Sequence, residues 1–380
     1  DPAFVRNLAD VRLAQGRLSE VFGEKTLDLD RMFRTLGFAR IASVTVPKLD
    51  ADTRLALEAY AEGVNAFIRD HPKKLPVQFI ALKYKPEQWS VSDSVSIARI
   101  MSWYLCMWKR KPILAKVAKK AGEKRAAEML AAYPKDAPVV MSAYVEPPPP
   151  PKPSEEKEEE GAGEADTGAP EDTGGRNLPV PLPERKDLPV SPDKLNSAPK
   201  NGSGARLVSI EKMSELFREF GAENIGGGSN AWVVDGKMST SEKPILANDV
   251  HLALTAPSLW TEVHLMGGRY DVYGIAFIGN PAVVIGRTQK VAWAFTNAMM
   301  DDVDFYSETI NPSNKNQYKT KNGWKNFTDI VETIKIKNMP EVIEQIRITD
   351  HGPVISGIID LGDVAECVAM KWIGMRPVAE

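Results

Sequence analysis

The sequence predicts an α+β fold, because helical and strand-forming patterns occupy different parts of the chain. Residues 1–145 carry apolar side chains mostly at helical spacing. The region after Ser229 consists of short β-rich runs separated by turn residues. Between them, residues 146–205 contain no phenylalanine, tryptophan or tyrosine. A block of helices followed by many short strands is typical of α+β proteins.

Composition narrows the class of protein. The chain has 380 residues, 43% of them hydrophobic and 26% charged, which is enough for a large core or two domains. Its net charge of −3 argues against nucleic acid as the main partner. No apolar run reaches the roughly 18 residues of a membrane span, and no signal-peptide pattern is visible. Cys106 and Cys367 make no metal-binding pattern, and their pairing stays open.

Four helical patterns fill the first region. The run LADVRLAQGRLSEVFG is near helical period up to Gly23, which suits a C-terminal cap. DADTRLALEAYAEGVNAFIRDHP is amphipathic, with Asp50 or Asp52 as its N-cap and Pro72 at its end. SVSDSVSIARIMSWYLCMW is more apolar, so we expect it to be buried. PILAKVAKKAGEKRAAEMLAAYP predicts two helices with a break near Gly122.

The stretch 146–205 is predicted to be a disordered linker. It holds 13 of the chain's 28 prolines, five of them consecutive at 147–151, and the acidic run EEKEEE. Such a segment cannot bury enough apolar surface to offset the entropy lost on ordering. Residues 206–228 are then the end of a spacer, and 229–380 form the region with the strands.

Short strands are predicted after Ser229. The β-rich runs are AWVV, PILA, WTEVHLM, YDVYGIAF, AVVIG and VAWAF. Glycine, asparagine and proline separate them, as is usual at strand ends. These runs supply the sheet part of the predicted fold.

Ser229 directly follows three glycines in the stretch ENIGGGSNAWVVDGK. One interpretation is a glycine-rich hairpin with a turn serine, since the stretch has neither a phosphate-loop nor a Gly-x-Ser-x-Gly pattern. The other is self-cleavage, in which the hydroxyl attacks the carbonyl before it and Gly228 gives the backbone the freedom this requires. The freed α-amine, with an ordinary pKa of about 7.7–8.0, would then act as general base for its own hydroxyl.

Six motifs, in order, resemble those of the penicillin acylase family of N-terminal nucleophile hydrolases, which includes penicillin, cephalosporin and acyl-homoserine-lactone acylases. GRLSEVFGEKTLDLDRMFRTLGF resembles the α-chain signature, and GGGSNAWVV resembles the processing site. LANDVHL, GNPAVVIGR, VAWAFTNAMMDDVDFY and DHGPV follow in family order. Six ordered motifs are more specific than one, and they favour self-cleavage over a turn serine.

The resemblance implies a four-layer αββα sandwich and a cut between Gly228 and Ser229 that separates an α-chain from a β-chain. Ser229 would be the nucleophile and its α-amine the base. The backbone N–H of Asn297 would stabilise the oxyanion, and His251 would orient the serine; a purely structural histidine is the alternative. The family's second oxyanion donor would lie beyond residue 380, so we expect the sequence to be a fragment.

The same resemblance implies an acyl pocket made by Leu252, Ile285, Phe295 and Met299, with side chains from residues 101–108 added by the α-chain. Ordinary core packing is the alternative for these apolar side chains. As a pocket, they favour a fatty or aromatic acyl group over a charged one.

No cofactor is expected for the chemistry, but many family members hold a structural calcium through the motif DDVD. Asp301, the Val303 carbonyl and Asp304 are the ligands that the resemblance implies, and oxygen ligands suit calcium. The family's glutamate ligand would fall near Lys111 and Pro112, where this chain has no acid. An ordinary acidic loop is the alternative.

The implied function is that of an amidohydrolase, which cleaves a linear amide, such as a penicillin-type or N-acyl amide, through an acyl–enzyme. Its partners would be the small amide substrate and the two chains of one precursor, and its location periplasmic or secreted. A catalytically silent relative of the same fold is one alternative. A serine peptidase with a histidine base, drawn from His71, His251, His264 or His351, is another.

Overall fold

The protein is represented by a computed structural model, which describes residues 2–72, 74–130, 207–219, 228–252, 254–255, 257–361 and 366–377. The side chains of residues 2–8 are outside this description. The predicted linker, residues 146–205, also lies outside the described residues. Within the described ranges, none of the helices is both long and apolar enough to cross a membrane.

Helices dominate the described part of the first region, and one more follows the linker. The α-helices are α1 (Pro2–Gln15), α2 (Ser19–Phe22), α3 (Leu27–Leu36), α4 (Phe38–Thr45), α5 (Ala51–Asp70), α6 (Val77–Leu82), α7 (Val91–Leu105), α8 (Arg110–Ala121), α9 (Glu123–Glu128) and α10 (Ile210–Glu219). Short 3-10 turns lie at Glu24–Thr26, Val46–Lys48, Gly236–Met238 and Ile373–Met375.

The predicted cap at Gly23 is confirmed, since Gly23 ends α2. The prediction of one continuous helix up to that point is wrong, because the chain turns between α1 and α2. Gly16 has a φ of +62°, and a Cβ there would lie 2.7 Å from the backbone oxygen of Asp30. The Asp30 carboxylate accepts hydrogen bonds from the N–H groups of Leu18 at 2.8 Å and Ser19 at 2.7 Å. Glycine tolerates both the left-handed conformation and the close approach, so the helix ends here and restarts at Ser19.

The other helical predictions are confirmed within the described residues, while the end of the fourth pattern, residues 131–134, lies outside them. Asp50 caps α5 by accepting a hydrogen bond from the Thr53 N–H at 2.9 Å. Ser90 and Asp93 form a capping box at the start of α7, and most of that helix is buried. Gly122, with a φ of +88°, separates α8 from α9.

The strands after the linker confirm the α+β class. They are β1 (Val208–Ser209), β2 (Gly228–Val234), β3 (Ile245–His251), β4 (Trp260–Gly267), β5 (Tyr270–Phe277), β6 (Val283–Arg287), β7 (Ala292–Trp293), β8 (Val303–Ser307), β9 (Ile310–Asn311), β10 (Asn314–Thr320), β11 (Gly323–Asn326), β12 (Thr328–Ile336), β13 (Met339–Thr349), β14 (Gly352–Pro353), β15 (Ile359–Asp360) and β16 (Val368–Trp372). The predicted runs coincide with β2 to β7, although VAWAF contributes only the two residues of β7.

The described strands pair into six small sheets. The strand orders are β1-β15, β11-β10-β9, β12-β13-β14, β16-β8, β2-β3 and β4-β5-β6-β7. The β1-β15 pair is parallel and the other pairs are antiparallel. The sheet that matters most for the site is the β2-β3 hairpin.

The main core joins the helices to the strands. Trp103 of α7 lies edge-on to Phe38 of α4 and to Trp372 of β16, with ring centroids 6.1 and 5.4 Å apart. Met213 and Phe217 of α10 are buried in the same core. Burying such a side chain contributes about 1.5–3 kcal/mol. The region that we predicted as the end of a spacer therefore contains a helix docked in the core.

Ion pairs join α3 and α4 to the β12-β13 hairpin. Arg31 Nε lies 2.8 Å from a carboxylate oxygen of Glu344, and Arg34 Nη1 lies 2.6 Å from one of Glu332. Arg40 contacts the other oxygen of Glu332. All five side chains are largely buried, so these pairs hold the regions before and after Ser229 together.

Candidate active site

The β2-β3 hairpin places Ser229 beside His251. The antiparallel register sets Gly228 opposite His251 and Ser229 opposite Val250. A Cβ built on Gly228 would lie 3.4 Å from Nδ1 of His251. The imidazole therefore packs against the backbone just before the serine, which is the peptide bond that the sequence motif predicts to be cut.

The Ser229 hydroxyl is turned back towards the preceding residue. Its Oγ donates a hydrogen bond to the carbonyl oxygen of Gly228 at 2.7 Å, and the side chain is half-buried. The hydroxyl oxygen is thus held next to the carbonyl group that it would attack. Residues 220–227, which precede this peptide, lie outside the described residues.

His251 is oriented by Asp249 on the same strand face. Residues two apart on a strand share a face, and Nε2 of His251 lies 3.1 Å from Oδ2 of Asp249. Nδ2 of Asn230 also faces Nε2, at 3.4 Å, but this contact needs the opposite tautomer. The shorter, charge-assisted contact is the stronger one. This contact favours the neutral tautomer with the proton on Nε2, in which Nδ1, the nitrogen facing Gly228, is the acceptor.

Asn248 is a residue that sequence reasoning missed. Its Nδ2 donates to the carbonyl of Asn230 at 2.8 Å and to the carbonyl of Phe295 at 3.2 Å. Its Oδ1 accepts a hydrogen bond from the Phe295 N–H at 3.3 Å. One side-chain amide thus joins the residue after Ser229 to the segment between β7 and β8, residues 294–302. The signal was its place in the motif LANDVHL, of which only the histidine was singled out.

Asn297 lies in the 294–302 segment and is held by the end of α7. Its Nδ2 donates to the carbonyl of Leu105 at 2.9 Å, and its Oδ1 accepts from the Met299 N–H at 3.2 Å. Among the described residues, no hydrogen bond joins Asn297 directly to Ser229. The link between their two segments runs through Asn248, and the predicted oxyanion role of the Asn297 N–H stays a prediction.

The four residues predicted to form the acyl pocket have different surroundings. Leu252 packs against the main core, and Ile285 lies in β6, paired with Ile275. Phe295 is 58% exposed. Met299 has a φ of 52° and lies beside Asn297. Their joint role as a pocket stays a prediction.

A cavity of about 1130 Å³ lies elsewhere in the described structure, between helices α5 and α7 and the β4-β7 sheet. Its lining includes Leu55, Ala59, Arg99, Leu265, Arg269 and Val283. Neither the predicted catalytic residues nor the four predicted pocket residues line it. Within 101–108, Met101, Trp103 and Trp108 are buried in the main core, whereas Ser102 lines this cavity.

A lysine lies between the carboxylates of the motif DDVD. Nζ of Lys111 is 2.8 Å from Oδ1 of Asp301 and also contacts Oδ1 of Asp304. The described residues contain no group of three or more histidine, cysteine, aspartate or glutamate side chains that could hold a metal ion. An ammonium on both carboxylates does not fit a calcium site built on the same oxygens.

The two cysteines are both free thiols. Burial raises the pKa of Cys106 to about 12 and that of Cys367 to about 11. Thiols with such pKa values are poor nucleophiles at neutral pH. They therefore do not compete with Ser229 as a candidate nucleophile.

Comparison with known proteins places these observations in a family. Acyl-homoserine lactone acylase QuiP of Pseudomonas aeruginosa is 27% identical over 91% of this chain and 35% of its own length. Penicillin acylase 2 proenzyme of Pseudomonas sp. is 25% identical over 91% of this chain and 38% of its own length. A solved thermostable penicillin G acylase from Alcaligenes faecalis is 29% identical, covering 30% of this chain and 20% of that chain. The TM-score of that comparison is 0.27.

The chain spans about a third of the length of the curated relatives that it matches. The family model described as penicillin amidase matches residues 9–380, which is nearly the whole chain. The chain belongs to the penicillin amidase family.

Proposed function

We propose that the protein is an amidohydrolase that cleaves a linear amide through an acyl–enzyme on Ser229, after the chain has cut itself between Gly228 and Ser229. The observation that carries the proposal is the 2.7 Å hydrogen bond from Ser229 Oγ to the Gly228 carbonyl. The relatives support it by name, as acylases of acyl-homoserine lactones and of penicillin, and one of them is named a proenzyme.

Self-cleavage begins when Ser229 Oγ attacks the carbonyl carbon of Gly228. The hydroxyl proton passes to an acceptor, and Nδ1 of His251 is the acceptor that faces this backbone. The C–N bond then breaks, its nitrogen takes up a proton and becomes the Ser229 α-amine, and Gly228 is left as an ester on Oγ. Water hydrolyses the ester, which gives a Gly228 carboxylate and a free Ser229.

Amide hydrolysis by the mature enzyme uses the same hydroxyl with a new base. The neutral α-amine of Ser229 accepts the hydroxyl proton while Oγ attacks the substrate carbonyl. The N–H of Asn297 donates to the developing oxyanion. The leaving amine departs with the proton, and water then hydrolyses the acyl–enzyme. The chemistry needs no cofactor, because nucleophile, base and donor all belong to the chain.

The same proposal covers the fold of the full protein, the acyl group, the substrate class and the location of the enzyme. The fold of the full protein is the four-layer αββα sandwich, of which the β2-β3 hairpin carries the nucleophile. The acyl group is apolar, since Leu252, Ile285, Phe295 and Met299 are all apolar. The substrate is an N-acyl or penicillin-type amide, and the enzyme acts in the periplasm or outside the cell, in keeping with the family.

An adduct on the nucleophile tests the proposal. The full-length protein is incubated with a slowly hydrolysed ester of a fatty acid, and the mass of the chain that begins at Ser229 is measured. We expect that mass to rise by one acyl group, with the modified peptide containing Ser229. An adduct on another residue, or none in a processed and folded protein, contradicts the mechanism. The latter result is what a catalytically silent relative gives.

A further inference from the structure

Lys111 bridges two carboxylates that come from a distant part of the chain. It lies in the first turn of α8, and Asp301 and Asp304 flank the start of β8. Its ammonium is 2.8 Å from Oδ1 of Asp301 and is also bonded to Oδ1 of Asp304. An ammonium has three donors, so one lysine satisfies an oxygen of each carboxylate.

The position of this lysine in its helix is explained by those partners. A positive charge in the first turn of a helix opposes the helix dipole, and the two carboxylates compensate for it.

A divalent cation has no comparable set of ligands here. Asp302, the remaining acid of the motif, accepts a hydrogen bond from Nε1 of Trp372 at 3.0 Å through its Oδ2. Its Oδ1 is buried without a hydrogen-bond partner among the described residues. That single oxygen does not complete a metal site, because the described carboxylates, histidines and cysteines form no group of three that could hold a metal ion.

We infer that Lys111 takes the place of a structural calcium ion. Its ammonium pairs with Asp301 and Asp304, so the protein holds α8 to the 294–302 segment and to the start of β8 without a metal. The same segment is fixed from the end of α7 by the hydrogen bond from Asn297 to the Leu105 carbonyl. This inference concerns stability and stands apart from the proposed function. The ion pairs also help to position the segment that carries the Asn297 N–H. That positioning matters for catalysis only if the proposed function is right.

Thermal unfolding of the full-length protein, in a chelator or in millimolar calcium, tests the role of the Lys111 ion pairs without reference to activity. The wild-type midpoint is expected to be the same in both. Lys111→Glu adds a third carboxylate where the ammonium was, so its midpoint should fall in chelator and rise with calcium concentration, as expected when a ligand binds only the folded state. Lys120→Glu, an exposed position at the other end of α8, makes the same charge change and should show no calcium response.

A second pair of variants keeps the test informative if Lys111→Glu does not fold. Lys111→Met should lower the midpoint, because Asp301 and Asp304 are left facing each other. Adding Asp301→Asn to that variant should restore part of the loss, since only one charge remains. A wild-type midpoint that rises with calcium, or a Lys111→Met midpoint equal to that of the wild type, overturns the inference.

Discussion

The side-chain amide of Asn248 hydrogen-bonds both backbone polar groups of Phe295, accepting from its N–H at 3.3 Å and donating to its carbonyl at 3.2 Å. The same amide donates to the carbonyl of Asn230. Asn248 therefore sets the spacing between the strand that begins with the nucleophile and the segment that carries Asn297.

Replacing Asn248 should impair both self-cleavage and turnover. Asn248→Asp keeps the size of the side chain but removes the NH₂ donors, so a carboxylate faces two carbonyl oxygens. A misplacement of about 1 Å at a reacting group costs roughly 10²-fold in rate, and we expect a loss of that order in kcat/KM for an apolar amide. Asn322→Ala, at an exposed turn, is the control. Wild-type rates in Asn248→Asp would contradict this role.

Asp249→Asn should slow self-cleavage through its effect on His251. The carboxylate fixes the proton on Nε2 and leaves Nδ1 as the acceptor beside Gly228, and an amide does this less well. We expect about a tenfold slower cut, which is less than the roughly 10²–10⁴-fold that a general base contributes, because His251 itself remains. The fraction of processed chain is measured with time. Asp271→Asn removes a similar contact to His264, at 3.0 Å, and should have no effect.

His251→Ala separates the two possible bases in the mature enzyme. If the Ser229 α-amine is the base, a processed variant should keep part of its activity. Complete loss of turnover in a folded and processed His251→Ala protein would instead favour a histidine base. The comparison requires variant protein whose new N-terminus has been verified.

Glu332→Gln should weaken the junction between α3, α4 and the β12-β13 hairpin. The carboxylate of Glu332 forms ion pairs with both Arg34 and Arg40. Removing its charge leaves two largely buried guanidinium groups without their anionic partner. The free energy of unfolding should fall by about 1–3 kcal/mol, measured by denaturant titration. Glu341→Gln, an exposed carboxylate on β13, should change it little. Equal losses in both variants would argue against the buried junction.

Asp30 should make stability depend on pH. Burial raises its pKa to about 6, against the lowering effect of hydrogen bonds from Ser19 and Leu18. A folded pKa above the unfolded value of 3.8 means that its contribution is fully present below pH 3.8 and is lost as pH rises through about 6. Two units correspond to about 3 kcal/mol. The difference in unfolding free energy between wild type and Asp30→Asn should therefore change by about that much between pH 4 and 7; a constant difference would refute the assignment.

Local sequence patterns were enough to predict a helix end where the interactions that form it are local. Asp50 starts α5 and Gly122 separates α8 from α9 because capping and backbone freedom act within one helical turn. The break after α1 was not predictable in this way. It depends on the carboxylate of Asp30 reaching back to Leu18, a contact made only once the chain has folded.

The same distinction applies to the site. Ser229 and His251 could be predicted from the sequence, because each lies in a short motif that resembles one of the family's motifs. Asn248 bonds a residue 47 positions away, and Lys111 bonds one 193 positions away. The sequence shows that an acid is missing near Lys111, but it does not show that the lysine itself reaches the two aspartates.

Sequencing the N-terminus that is created in the full-length protein shows whether the chain cuts itself between Gly228 and Ser229. Protein is expressed as wild type, as Ser229→Ala and as Ser241→Ala, an exposed serine on the turn after β2. We expect two chains for wild type and Ser241→Ala, the second beginning Ser-Asn-Ala-Trp, and one uncut chain for Ser229→Ala. A soluble, folded wild-type protein that stays as one chain, or whose new chain begins at any residue other than Ser229, would contradict this expectation.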